Sequence, residues 1–436
     1  MAVSNGALAL ACAVVLSAPA PILAQCDSSE SNCREVRTLA ERADVQRALA
    51  FVVEDDARTI RDLITLTEIP APPFEETARG LAYAELLRAA GADSVWTDAE
   101  GNVIALRKGQ GTGPVLVLSG HLDTVFPPET DVKVRQSGDT LRAPGVADDT
   151  RGLVTVLAVL RALEAAQVAT QGDLLFVGTV GEEGLGDLRG VKHLFRDGGP
   201  KVDAFISVDG SDDRRVTHMG LGSKRYRVTF QGPGGHSWGA FGIASPTHAL
   251  GRAIQLFDEA AATFTASGPR TSYNVGRIGG GTSVNSVPFE AWMEVDMRSE
   301  SNERLLGIDS ILRAVVQQAL AQENDERRAD DALSVDVKLV GDRPSGEIAP
   351  DDKLVQRAIA VTRHLGLQPE LSRSSTDSNV PIAKGISAIT IGGGGRAGDA
   401  HALTEWYANV DGARGIQRAL LIALAFVGVT DGVTRP

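Results

Sequence analysis

Residues 115–125 read VLVLSGHLDTV, and this stretch decides the fold. Its apolar run from Val115 to Leu118 predicts a buried strand, and His121 and Asp123 follow where that strand ends. In an α/β sheet, the ligand crevice opens at this end of the strands. An imidazole with a carboxylate two residues later suits a metal ligand and the neighbour that orients it. By itself, the segment is also typical of a structural or surface histidine.

Further acidic residues and one more histidine stand at equivalent places along the chain, each after an apolar strand or at the start of a helix. They are Asp148 and Asp149 in GVADDTRG, Glu182 and Glu183 in TVGEEGLG, Asp209 in SVDG, and His401 in GDAHALTEW. Mixed histidine and carboxylate ligands of this kind suit zinc, and two histidines with three or four acids are enough for two ions that share one carboxylate. The GEEG segment alone would fit a solvated acidic turn.

This ordered set of motifs resembles the co-catalytic di-zinc metallopeptidases of clan MH, the group with glutamate carboxypeptidase, peptidase T, aminoacylase and succinyl-diaminopimelate desuccinylase. The resemblance spans roughly residues 52–427. It implies that five side chains hold two ions: His121 and Asp209 on one, Glu183 and His401 on the other, and Asp148 bridging them. It also implies that the Asp123 carboxylate accepts the other ring N–H of His121, and that Glu182 is the general base.

The resemblance implies hydrolysis of a small peptide or an N-acyl amino-acid amide. Two divalent ions would activate a water molecule, and Glu182 would take its proton and pass it to the leaving amine. We expect zinc, while cobalt and manganese suit similar nitrogen and oxygen sites. The alternative is a catalytically silent member of the same fold that dimerises or binds a ligand.

The order of elements predicts an α/β protein with a second domain inserted into the first. Residues 35–215 and 340–436 are expected to form a discontinuous catalytic domain of the zinc-peptidase type. The segment 216–339 reads β-α-β-β-α-β, which is typical of a ferredoxin-like α+β unit. The resemblance implies that this inserted unit acts as a lid or as the contact surface of a homodimer.

The inserted segment carries three candidate site residues. The resemblance implies that His236, in GPGGHSWGAFG, stabilises an oxyanion, and that Asn285, in GGTSVNSVP, hydrogen-bonds the substrate. A turn histidine and a turn-capping asparagine are the alternatives. Arg298, in EVDMRSE, could pair with a substrate carboxylate, or equally form a salt bridge with Asp296 or Glu300.

Composition narrows the possible partners. The chain has 436 residues, 43% of them hydrophobic, and a net charge of −13 from 43 basic and 56 acidic residues. This length allows two domains with sizeable cores. No stretch rich in Lys and Arg occurs in the sequence, which argues against a nucleic-acid partner.

The first 25 residues predict a secretory signal peptide, with an apolar run over residues 7–18. That run is too short for a membrane span and is followed by two prolines. We therefore expect an exported protein, periplasmic or secreted. The segment Leu23–Cys26 is similar to a lipoprotein cleavage site, so a lipoprotein is the less favoured alternative. Cys26 and Cys33 could form a disulfide in an oxidising compartment, or remain two unpaired thiols.

Overall fold

The computed structural model describes residues 30–111, 113–329 and 331–430. The expected signal peptide, residues 1–25, and Cys26 lie outside these ranges, so the export prediction and the Cys26–Cys33 pairing stay predictions. Cys33 itself is buried in the first helix. In the described ranges, every helix is too short or too polar to cross a membrane.

Helices and strands alternate through most of the chain. The helices are α1 (Ser31–Ala40), α2 (Ala43–Glu54), α3 (Asp56–Thr67), α4 (Thr77–Ala89), α5 (Thr150–Ala165), α6 (Arg189–Leu194), α7 (Pro246–Thr265), α8 (Asn302–Glu326), α9 (Lys353–His364), α10 (Asn379–Ala383) and α11 (Gly412–Val427). The first strands are β1 (Ser94–Thr97), β2 (Val103–Arg107), β3 (Leu116–His121), β4 (Arg135–Ser137), β5 (Thr140–Arg142), β6 (Leu174–Thr179), β7 (Ala204–Val208), β8 (Arg215–Gly220), β9 (Gly222–Gln231) and β10 (Gly235–His236). The others are β11 (Thr271–Gly280), β12 (Ser286–Val287), β13 (Glu290–Ser299), β14 (Ser334–Arg343), β15 (Gly346–Glu347), β16 (Glu370–Ser374), β17 (Ser387–Ile391), β18 (Arg396–Gly398) and β19 (Trp406–Ala408).

The first sheet has the strand order β1-β2-β6-β3-β7-β17-β8-β15, and β16 pairs with β8. Its centre, β6-β3-β7-β17, is parallel. Strands β3, β6 and β7 are buried along their whole length, as expected for apolar runs that are covered on both faces. Parallel strands end at the same edge, so the segments after β3, β6 and β7 meet there.

Helix α5 packs against β3, β6 and β7 and also against α2, α3 and α11. It begins after Asp149, whose side chain accepts the main-chain N–H of Gly152 and so caps the helix. Nearly every residue of α5 is buried, including Arg151 and Arg161, because strands and helices pack around it. The capping residue therefore lies beside the edge where β3 and β7 end.

The second sheet is antiparallel, with the order β11-β13-β9-β14. Helices α7 and α8 pack on it, and a hydrophobic cluster separate from that of the first sheet fills the space between them. The α/β class is confirmed, and the observed order β9-α7-β11-β13-α8-β14 is the expected β-α-β-β-α-β. The strands of this sheet lie between Gly222 and Arg343, whereas the sequence predicted an inserted segment of residues 216–339. The N-terminal limit differs because β8 pairs with the first sheet.

Two small sheets complete the architecture. Strands β18, β19, β5 and β4 form an antiparallel sheet that joins the segment before Asp148 to the strands on either side of His401. Strands β10 and β12 form a two-stranded ribbon in which His236 lies opposite Ser286. The first of these sheets therefore brings two candidate ligand segments together across more than 250 residues of sequence.

Replacing Phe257 with alanine tests the second cluster. Phe257 is fully buried and meets the ring of Tyr273 edge to face, with 5.4 Å between ring centroids. We expect Phe257→Ala to lower the free energy of unfolding by about 3–5 kcal/mol, because it removes a large buried ring and leaves a cavity. Urea denaturation gives this value. Leu306→Ala on the exposed side of α8 is the control, expected within about 0.5 kcal/mol of the parent; equal losses would contradict the assignment of Phe257 to the core.

Candidate metal centre

His121 ends strand β3 and is almost completely buried, at 2% exposure. Its Nδ1 lies 3.0 Å from the main-chain carbonyl oxygen of Asp123, and its Nε2 lies 3.0 Å from Oδ1 of Asp148. A ring N–H donated to a carbonyl fixes the tautomer and leaves the opposite nitrogen with a free electron pair. The geometry therefore suits Nε2 as a metal ligand.

The carboxylate of Asp123 has a different partner from the one we expected. Its Oδ1 is 3.8 Å from Nδ1 of His121, too far for a hydrogen bond. It accepts the main-chain N–H groups of Glu182, at 3.0 Å, and Glu183, at 2.7 Å. The expected hydrogen bond from His121 to the carboxylate is thus corrected: the carbonyl of Asp123 orients the imidazole, while its side chain fixes the turn that carries the two glutamates.

Asp148 stands between the two histidines. Its Oδ1 is 3.0 Å from Nε2 of His121, and its Oδ2 is 3.2 Å from Nε2 of His401. The same nitrogen of His401 is 2.9 Å from Oε1 of Glu183. One carboxylate therefore presents a separate oxygen to each imidazole, which is the arrangement required of a ligand shared by two cations.

All five side chains expected to bind metal lie together at the edge where β3, β6 and β7 end. Ligand atoms within 4.8 Å of one another occur in the sets His121, Asp148, Asp209 and Asp148, Glu183, His401. A third set contains His121, Glu182 and Glu183. Asp209 is fixed through its main chain, because its N–H donates to the carbonyl of Ile391 at the end of β17. Nitrogen and carboxylate oxygen donors in this number suit divalent transition metals.

His401 lies in a loop rather than on a strand, and its backbone φ is +66°. A residue other than glycine is uncommon in this left-handed region, and such conformations are concentrated at functional sites. The neighbouring Asp399 has a φ of +58°. The loop therefore holds His401 against Asp148 and Glu183 in a conformation that the surrounding structure has to maintain.

Three supporting residues were not assigned a role from the sequence. The buried carboxylate of Asp149 accepts the main-chain N–H of His121 at 2.9 Å, in addition to capping α5. The buried carboxylate of Glu405 accepts the main-chain N–H of Asp148, at 3.0 Å, together with those of Gly145 and Ala147. Arg343, at the end of β14, donates to Oε1 of Glu182 at 3.1 Å and also to its carbonyl oxygen. Asp149 caps its helix through a residue only three positions away, but the other contacts join residues too far apart in sequence for a local pattern to reveal them.

The pKa values of the carboxyl groups in this centre depend on burial and on the charges nearby. Burial, with the nearby charge of Asp148, raises the pKa of Asp209 to about 6. Burial also raises the pKa of Glu182 well above its usual range, although the guanidinium of Arg343 opposes this. Burial acts in the same direction on Asp148, but hydrogen bonds from the histidines lower its pKa below the usual range. The centre thus concentrates acids whose charges require compensation.

The pKa values of the two histidines are also raised, but by hydrogen bonds and negative charge rather than by burial. Hydrogen bonds to Asp148 and Glu183 raise the pKa of His401 to about 10. Burial would lower the pKa of His121, but the hydrogen bond with Asp148 and the charge of Asp149 raise it well above its ordinary value. Without a metal, protons on the imidazoles therefore supply the positive charge that the acids attract.

His236 and Asn285 belong to neighbouring segments of the inserted unit. The N–H of Ser237 donates to the carbonyl of Asn285 at 2.9 Å, and β10 pairs with β12 directly beside it. Both residues are exposed, and Nδ1 of His236 accepts the main-chain N–H of Trp238 at 3.2 Å. The structure therefore groups these two candidates on one exposed ribbon.

Arg298 forms a salt bridge with Asp296, with Nε 2.8 Å from Oδ2. Arg225 approaches the other oxygen of Asp296 at 2.9 Å. Burial tends to raise the pKa of Asp296, but the hydrogen bonds from the two arginines lower it overall. Of the two alternatives for Arg298, the ion pair with Asp296 is the one observed.

The second sheet touches the loop that follows the two glutamates. Arg225 on β9 donates to the carbonyl of Gly184 at 2.9 Å. The carboxylate of Asp187 accepts the main-chain N–H of Asp342 on β14 at 2.7 Å. Together with the pair of Arg343 and Glu182, these contacts connect the two sheets directly at the candidate centre.

The structure thus combines an α/β fold with a cluster of histidine and carboxylate side chains that could hold metal ions. The chain belongs to Peptidase family M20/M25/M40, whose family model matches residues 117–425. The resemblance to di-zinc metallopeptidases that the motifs indicated is therefore confirmed at the level of the family.

Individual relatives are more distant. Succinyl-diaminopimelate desuccinylase from Leptothrix cholodnii is 28% identical over 216 residues, 45% of this chain and 55% of that protein. Carboxypeptidase G2 from Pseudomonas is 24% identical over 274 residues, 61% of each chain. These alignments thus span less than two thirds of either relative. Among solved structures, aminopeptidase PepT from Bacillus cereus is 19% identical with a TM-score of 0.64, covering 85% of this chain and 97% of that one, which shows a shared fold.

Metal affinity should fall as the pH falls. An imidazole must be neutral to bind a metal, and the pKa of His401 is raised to about 10, so cation binding displaces a proton at neutral pH. If metal binding displaces one proton, we expect the zinc affinity to fall about 10-fold for each unit by which the pH is lowered from 8 to 6. Chelator competition measures this, with the exposed His248→Ala as a control that leaves the slope unchanged. An affinity independent of pH would contradict the assignment.

Proposed function

We propose that the chain hydrolyses the amide bond of a small peptide or an N-acyl amino acid with the help of two divalent cations, preferably zinc. The observation that carries this proposal is the position of Asp148, which turns one oxygen toward His121 and the other toward His401. Family membership supports the reaction class. The names of the relatives, a desuccinylase and a carboxypeptidase, support amide substrates that carry an amino-acid portion.

The five side chains at the strand ends fit this proposal as ligands. His121, Asp148 and Asp209 would hold one cation, and Asp148, Glu183 and His401 the other. Two neutral imidazoles and three carboxylates supply a donor set and charge that suit a pair of divalent ions. When bound, such ions polarise a water molecule and the substrate carbonyl.

Glu182 is the proposed general base. It lies next to Glu183 in sequence, but its Oε1 accepts a hydrogen bond from Arg343 at 3.1 Å. Its main-chain N–H is held by Asp123, so the turn has little freedom to move. Burial raises its pKa well above the usual range, which makes its carboxylate a stronger proton acceptor than an exposed glutamate. Glu182 would take the proton of the attacking water and deliver it to the leaving nitrogen.

His236 and Asn285 remain the proposed contacts for the oxyanion and the substrate. Both can donate hydrogen bonds, and they share one exposed ribbon. The loop that follows β10 also exposes apolar side chains, with Trp238 at 85% and Phe241 at 76% exposure. Apolar groups of this size are often covered in an assembly, which supports a homodimer formed through the inserted segment. Light scattering of the purified chain tests this proposal, and a strictly monomeric mass at micromolar concentration would reject it.

Export to the periplasm or the medium is also proposed. It rests on the signal-like sequence of residues 1–25. Cell fractionation combined with sequencing of the mature N-terminus tests it, and an intact Met1 in the cytoplasmic fraction would reject it.

Replacing Glu182 with glutamine separates chemistry from metal binding. We expect Glu182→Gln to lower kcat by about 10²–10⁴-fold, because the amide cannot accept the proton of the attacking water. Release of free amine from di- and tripeptides and N-acyl amino acids measures the rate, and elemental analysis should find the metal content of the parent. Glu129→Gln on the exposed surface is the matched control. A variant as fast as the parent would remove Glu182 from the mechanism, and a parent silent on the whole panel would favour a ligand-binding member of the fold.

A further inference from the structure

A cavity of about 480 Å³ lies between the β4–β5 hairpin and the loop that follows His401. Its walls include Arg142 and Pro144 on one side and Leu403 on the other. Leu403 is 72% exposed although it is apolar. The cavity is thus open to solvent and has both apolar and charged lining.

The cavity is tied to the candidate ligands by short connections. Pro144 precedes Asp148 by four residues, and Leu403 follows His401 by two. Glu405 joins the two walls, because its carbonyl accepts the N–H of Ala143 at 3.2 Å and its carboxylate accepts the N–H of Asp148 at 3.0 Å. The cavity walls are therefore formed by the same chain segments that carry Asp148 and His401.

The charge in the cavity is unbalanced. Arg135 and Arg142 lie directly opposite each other on β4 and β5, and like charges in this position are destabilising. Arg135 is neutralised by Asp131, with 2.7 Å between Nη2 and Oδ2. Among the described residues, Arg142 has neither an ion pair nor a side-chain hydrogen bond. One guanidinium is therefore left to face the cavity without an anion.

We propose that this cavity is a substrate subsite in which Arg142 binds a carboxylate carried by the side chain of the substrate. The inference rests on the proposed function and gives it a substrate class, amides of acidic amino acids. A guanidinium offers two parallel N–H donors that match the two oxygens of a carboxylate. Pro144 and Leu403 would contact the methylene groups between that carboxylate and the scissile amide.

The test compares substrates that differ only in this charge. Matched pairs are Glu-Ala with Gln-Ala, Ala-Glu with Ala-Gln, and N-acetyl-glutamate with N-acetyl-glutamine, assayed by amine release with the metal-loaded full chain. We expect the parent to prefer the acidic member of at least one pair. Arg142→Gln should lower kcat/KM for that member about 10–100-fold, the range for a hydrogen bond to a charged group, and change the neutral member by about 2-fold or less. Arg142→Lys should restore part of the preference.

Arg61→Gln, on the exposed side of α3, is the matched control, because it removes a guanidinium that lies outside the cavity lining. We expect it to change the ratio between acidic and neutral substrates by about 2-fold or less. A parent without an acidic preference, or an equal effect of the two arginine variants on that ratio, would overturn the subsite while leaving the hydrolase intact. A parent that cleaves no member of the panel would instead reject the proposed function itself.

Discussion

The dominant constraint in this structure is the gathering of carboxylates at one buried edge of a parallel sheet. An uncompensated charge in such a place costs several kcal/mol, so every acid there needs a partner. Main-chain N–H groups satisfy three of them: Asp123 receives two, Asp149 receives two, and Glu405 receives three. These supporting acids are therefore stabilised by the backbone, and they in turn fix the segments that carry the candidate ligands.

The two pairs of adjacent acids divide their roles in the same way. In the first pair, Asp148 faces both histidines, while Asp149 caps α5 and holds the backbone of His121. In the second pair, Glu183 contacts His401, while Glu182 contacts Arg343. In each pair, one member thus contacts a histidine side chain, while the other is held by a separate partner, the main chain for Asp149 and Arg343 for Glu182. The remaining negative charge of Asp148, Glu183 and Asp209 is what a pair of divalent cations would balance.

Much of this arrangement could be predicted from the sequence, for a physical reason. A strand covered on both faces must be apolar along its length, so β3, β6 and β7 were visible as short apolar runs, and the polar residue after each run marked the common edge. The supporting contacts could not be predicted in this way. Glu405 and Asp148 are 257 residues apart, and Arg343 and Glu182 are 161 apart, so no periodicity relates them. The predicted hydrogen bond from His121 to the Asp123 carboxylate was wrong, because the imidazole contacts the main-chain carbonyl oxygen instead. The sequence does not show that the N–H groups of Glu182 and Glu183 occupy the carboxylate.

The second sheet contributes to the centre as well as to its own core. Its last strand ends at Arg343, and that residue holds Glu182 through both the side chain and the main chain. Its first strand carries Arg225, which reaches the carbonyl of Gly184 two residues after Glu182. Because the same loop is held from the opposite side by Asp123, the position of Glu182 depends on elements of both sheets. A rearrangement of the second sheet would therefore change the orientation of the proposed base even if every metal ligand stayed in place.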